Sequence, residues 1–149
     1  KSNLKLLFVG QIYSDFLEHL SQKSLSGNVQ FIPNASHSKA INTMINCDVL
    51  LVTQSDTSDA NGRLPAKFFE YLATRKPIVA IGRKNSDLEY IMRDISYCWF
   101  IDFNNSKLLL DTLNLLYNQR ASDKVYNDDI SEFSRENQAN RIMQLINKL

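Results

Sequence analysis

Five short apolar runs, each followed by a stretch with helical spacing, limit what this chain can become. The runs are LKLLFV (4–9), NVQFI (28–32), DVLLVT (48–53), PIVAIG (77–82) and YCWFIDF (97–103). DVLLVT and PIVAIG are apolar almost throughout, as expected of strands buried on both sides. Helices are predicted over 14–25, 38–47, 65–75, 86–95 and 106–120, with a last one over 132–148. Ser14 and Ser86 stand as N-caps, and Glu89 follows Ser86 at capping-box spacing. Strands of this kind alternating with helices predict an α/β fold, a Rossmann-like doubly wound parallel sheet of about five strands with helices on both faces. The 149 residues suffice for one domain with a core, read over 1–149. The last helix follows the polar stretch ASDKVYNDDISEF and is expected to dock loosely or on another domain. The chain enters a strand almost at once from Lys1, which reads as a piece of something longer.

Charge excludes several partners. With 17 basic and 16 acidic side chains the net charge is +1, so no basic footprint for nucleic acid or an acidic membrane surface is present. No apolar run has the length of a membrane span and no signal peptide is visible, which predicts a cytoplasmic protein. Cys47 and Cys98 lie far apart without metal spacing and read as reduced, buried thiols. No metal and no cofactor is expected. A Walker sequence, a G-x-G-x-x-G turn and a Ser/His/Asp motif are all missing.

Ligands of open α/β sheets bind at the carboxyl ends of the strands, which directs attention to four loops. Gly10 and Gln11 open the first, where a glycine before a helix can approach a phosphate, or simply make a tight turn. PNASHS (33–38) follows the second strand and could line a base pocket; His37 reads as a cap or surface residue. QSDTSDANGR (54–63) is long and polar and runs into Pro65, which suits a helix start. Free N–H groups there form an anion site, and Arg63 and Lys67 add charge. Taken alone, these are solvated cations, with Lys67 and Glu70 an i, i+3 pair. The helical wheel sets Leu64, Phe68, Phe69 and Leu72 on one side and Glu70 nearly opposite. A carboxylate placed so can accept two hydrogen bonds from the vicinal hydroxyls of a ribose. In GRKNSD (82–87), Gly82 gives freedom, while Arg83 and Lys84 read as loop charges.

The segment LPAKFFEYLATRKPIVAIG resembles the donor-site segment of GT-B-fold glycosyltransferases of the large retaining group. Those enzymes carry Lys-Leu-Phe-Glu-Tyr-Leu-Ala, a Gly-Lys-Pro turn and an apolar strand. Lys67, Phe68, Phe69, Glu70, Tyr71, Leu72, Ala73, Lys76 and Pro77 match that run. LLFVGQIY, HSKAINTMINCDVLLV and ISEFSRENQANRIMQLI are similar, in order, to the flanking parts of the second GT-B domain. The resemblance therefore covers nearly the whole chain.

The resemblance implies a donor-binding domain for a nucleoside-diphosphate sugar, UDP-linked by preference. Its acceptor, a glycan or a lipid-linked sugar, would be held by an amino-terminal domain. The chain alone would then be inactive, and the full enzyme would work without metal, with peripheral contact at the cytosolic membrane face as its setting. Glu70 would bind the ribose. Leu64, Pro65 and Ala66, with Arg63 or Lys67, would face the diphosphate, Gly10 and Gln11 the phosphates or sugar, and Phe31, Ile32, Pro33 and Asn34 the base. Many such enzymes carry a second glutamate eight residues before the ribose glutamate; Gly62 stands there. A basic pair after the first strand is also missing. Two other readings remain: a non-catalytic α/β binding or scaffold domain, and an epimerase-like GT-B protein. A receiver-type domain is disfavoured, because LFVG supplies no acidic cluster.

Overall fold

The computed structural model describes residues 4–22, 27–57, 59–119 and 125–148. The fold is α/β with parallel strands. β1 (Leu6–Val9) pairs with β2 (Val29–Ile32), while β3 (Leu50–Thr53), β4 (Ile78–Gly82) and β5 (Cys98–Asp102) form a second sheet in that order. Every strand expected from the sequence is present, divided between two sheets among the described residues. Apolar patterning marks a strand as buried but does not name its neighbour, which is why the division was not legible. The helices are α1 (Ser14–Gln22), α2 (His37–Asn46), α3 (Ala66–Thr74), α4 (Asp87–Met92), α5 (Ser106–Gln119) and α6 (Arg135–Ile146). Short 3₁₀ turns lie at Ala60–Gly62 and Ser131–Phe133. The expected extensions of α1 over 23–25 and of α5 to residue 120 lie outside the described residues.

The chain forms two compact units, 1–44 and 45–149. In the first, Leu6 to Val9 lie in parallel register against Val29 to Ile32. Phe8 stacks on its partner Phe31 at 5.5 Å and meets Phe16 of α1 edge-on at 5.3 Å. None of the described side chains of this unit is buried.

The second unit holds the core. β4 is central and Ile78, Val79 and Ala80 are fully buried, so both faces of the sheet are covered. Parallel register puts Val79, Ile81, Trp99 and Ile101 on one face, where Leu109 and Leu116 of α5 pack against them. Leu50, Val52, Ile78 and Ala80 point to the other. With strands in the order β3, β4, β5, the right-handed rule for parallel crossovers assigns α3 and α4 to one and the same side. Their buried residues Phe68, Leu72, Leu88 and Met92 are spaced at i, i+4, as the wheel requires.

The caps refine the sequence reading. Ser86 Oγ accepts the Glu89 N–H at 3.4 Å, but Glu89 Oε2 takes the N–H of Asn85, at 2.5 Å, in place of that of Ser86. Ser14 is the first residue of α1, and its hydroxyl donates to Asp15 Oδ1 at 3.1 Å. At α2 it is Ser36 whose Oγ accepts the Lys39 N–H, at 3.3 Å, and His37 is exposed. α3 stops at Arg75, whose φ of 55° is left-handed. Arg75 Nη1 donates to the carbonyls of Tyr126, at 3.2 Å, and Asp128, at 2.9 Å. Asp128 in turn accepts the Ser96 N–H at 2.8 Å and the Ser96 hydroxyl at 2.7 Å. The Tyr126 ring lies 5.3 Å from that of buried Tyr97, whose hydroxyl donates to Leu72 O at 3.1 Å. Tyr126 and Asp128 are thus fastened to the end of α3 and to the residues that lead into β5.

Candidate functional site

The site is built around the residue that follows β3. The Gln54 N–H still bonds Ile81 O at 2.9 Å, so the ladder runs one residue past Thr53. Alternation then directs the Gln54 side chain to the face of Leu50 and Val52, where it is only 8% exposed. A buried amide needs partners. Its Nε2 donates to Arg63 O at 3.1 Å and, at a long 3.4 Å, to Ala60 O. Its Oε1 has no partner among the described residues. Gly82, in the neighbouring strand, makes the room: a Cβ there would run into Gln54 Oε1 and lie 3.0 Å from Phe100 Cε2. Gly82 does not have a positive φ, so it serves by its lack of a side chain and not by conformational freedom.

The rest of the loop folds on itself. The Arg63 N–H bonds Ala60 O at 3.1 Å, closing the 3₁₀ turn. Thr57 Oγ1 donates to Asp59 Oδ1 at 2.6 Å, and Asp59 is ion-paired with Arg63. These contacts, the Thr57 hydroxyl first, hold the Asp59 carboxyl below the usual carboxylate range. Arg83 pairs with Asp56 at 2.8 Å. Between loop and strand end lies a pocket of about 270 Å³ lined by Thr53, Gln54, Ser55, Ala60, Arg63, Leu64 and Pro65. That volume lies just below the range of most small-ligand pockets.

α3 starts beyond Pro65 with no side-chain cap. Pro65 is extended (φ −62°, ψ 123°) and stands just before the helix, one position earlier than the first-turn place expected. The Phe68 N–H bonds Pro65 O at 2.9 Å; ahead of it, the N–H groups of Ala66 and Lys67 have no side-chain acceptor among the described residues, a partial positive charge next to the Leu64 and Pro65 lining of the pocket. Ala66, Lys67 and Glu70 are all exposed. Glu70 sits four residues after Ala66, about 6 Å along the same face. No ion pair joins Lys67 to Glu70 among the described residues, so the expected i, i+3 pair is not made. Phe68 and Leu72 are buried and Phe69 leans on Phe133 at 6.0 Å, as the wheel anticipated.

The structure brings Arg63, Leu64, Pro65, Ala66, Lys67 and Glu70 together in the second unit. Gly10, Gln11, Phe31, Ile32, Pro33 and Asn34 belong to the first, where the strand ends meet through the Gly10 N–H bond to Ile32 O at 3.0 Å. Gly10 has a φ of 109° and open space where a Cβ would stand, so its backbone conformation is what calls for glycine. Asn34 is left-handed at φ 53°. Sequence reading missed Gln54, Asp56 and Asp59; the polar residue ending an apolar run was the signal for Gln54. Burial first, then Asp128, pushes the Cys98 thiol up to about 12. Asp102, at the end of β5, accepts the N–H groups of Asn104, at 2.9 Å, and Lys84, at 3.2 Å, and is committed to holding those two turns. Among the described residues no three His, Cys, Asp or Glu side chains converge as a metal site, and no helix is long and apolar enough to cross a membrane. No family model, curated protein or solved structure matches the chain.

Proposed function

We propose that this chain is the nucleotide-sugar donor-binding domain of a glycosyltransferase, binding a nucleoside-diphosphate sugar, UDP-linked by preference. The observation that carries the reading is the uncapped start of α3, opening beside the pocket at the end of β3 with exposed Glu70 one turn further on. Leu64, Ala66 and Lys67 offer N–H donors to a diphosphate, Arg63 and Lys67 offer charge, and Glu70 accepts from the ribose hydroxyls. In a complete enzyme such a cradle stabilises the leaving nucleoside diphosphate as its charge develops. Acceptor binding, and hence transfer to a glycan or lipid-linked sugar, would require an amino-terminal domain. The left-handed backbone of Arg75 also supports the resemblance, since it stands where those enzymes carry the glycine of Gly-Lys-Pro.

A scaffold role is favoured by a different observation: Arg63 and Arg83 are engaged by Asp59 and Asp56. Such exposed pairs hold weakly, and a diphosphate can displace them. Titration with UDP, GDP and ADP, followed by heteronuclear NMR, separates the two readings. A donor domain shows shifts at Leu64 to Glu70 with one nucleotide, lost or weakened about ten-fold in Glu70→Ala. Shifts at Gly10, Gln11 and Phe31 to Asn34 would assign those residues to the ligand too. No response to any nucleotide at millimolar concentration would leave the scaffold.

A further inference from the structure

Gln54 is a buried polar side chain that the nucleotide reading does not use. It spans from the end of β3 to two carbonyls six and nine residues later, those of Ala60 and Arg63. The second matters most. A trans peptide points its C=O and N–H in opposite directions, so drawing Arg63 O towards Gln54 turns the Leu64 N–H away from it. Pro65 has no N–H, which leaves Leu64 as the last donor before those of Ala66 and Lys67. Gln54 thereby sets where the final loop donor points and how the chain enters α3.

The other half of the amide explains Gly82. With Nε2 committed to the loop, Oε1 is turned towards Gly82 and lies buried without a partner among the described residues. A leftover acceptor of this kind is costly in a folded protein. A methyl at position 82 could be accommodated only if the amide swung aside and gave up its two carbonyls. Glycine at the end of β4 and glutamine at the end of β3 therefore form one unit.

We propose that Gln54 is a positioning residue for the anion-binding end of this site, acting through the Arg63–Leu64 peptide, with Gly82 as the space it requires. This rests on the donor-domain reading. The probes are inorganic pyrophosphate, which reports the loop and the α3 start, and UDP. Both are titrated into the chain by NMR, with thermal unfolding measured alongside. Gln54→Leu should weaken pyrophosphate about ten-fold, two hydrogen bonds' worth of positioning, and displace the Leu64 amide signal in the free protein. Gly82→Ala should do the same in the wild type but add little in a Gln54→Ala background, the non-additivity expected of residues that act as one. Ile101→Val, a core change of modest cost, should leave pyrophosphate affinity intact and so separates positioning from plain stability. If wild type binds pyrophosphate and Gln54→Leu binds it equally well, the proposal fails alone. If wild type binds neither pyrophosphate nor UDP, the donor reading fails and the proposal falls with it.

Discussion

Asp128 shows how much one partly exposed carboxylate can do when it fastens two segments. It takes both the N–H and the hydroxyl of Ser96, and those bonds hold its carboxyl below the ordinary 3.8. A carboxyl depressed by folding contributes stability above its unfolded value and loses it as pH falls through the folded one. Thermal unfolding should therefore shift steeply to lower temperature only below about pH 3.8, and the acid limb should be shallower in Asp128→Asn. Equal slopes in the two proteins would mean other carboxylates carry it; Asp102 and Asp129 are held low as well, chiefly by backbone N–H groups. At neutral pH Asp128→Ala should cost about 1–2 kcal/mol, the value of bonds to a charged acceptor in partial contact with water. Residues like this one were not legible beforehand. Asp128 meets Ser96 across 32 positions and Gln54 meets Arg63 across a loop, and neither pairing leaves a periodic trace in the sequence.

At the scale of elements the sequence was far more explicit. α3 and β4 could be placed within a residue or two, because a wheel with one aromatic side and a continuous apolar run each dictate a single kind of burial. Helix starts were less certain, since a serine near a boundary can cap the helix or enter it, as Ser86 and Ser14 respectively do. The start of α3 carries a prediction of its own. Pro65→Asp would bring a carboxylate to the cap position that is now without one. The cap is worth about 1 kcal/mol, and loss of the proline's stiffness costs about 0.4–1 kcal/mol, so melting temperature should hardly move. Pyrophosphate binding should fall sharply, because the new carboxylate takes the donors and repels the anion. Unchanged binding would place the anion elsewhere than at this helix start.

Over the whole molecule, burial is uneven. The fully buried side chains lie in the second unit, while none is buried among the described residues of the first. Local opening costs least where few apolar contacts must be broken. Hydrogen exchange should accordingly be slowest at β4 and its neighbours and markedly faster at β1 and β2; uniform protection would contradict this. That contrast lay beyond sequence reading, which saw five comparable apolar runs. The fastening of Arg75 has one more consequence, in time. The arginine that ends α3 is held by carbonyls 51 and 53 residues further along the chain. Loops of that length close slowly and cannot close at all before their far end exists. On the ribosome, α3 and the three strands can emerge and collapse early. The bottom of the sheet must then wait, with Tyr97 not yet covered by Tyr126, until residue 128 has left the exit tunnel.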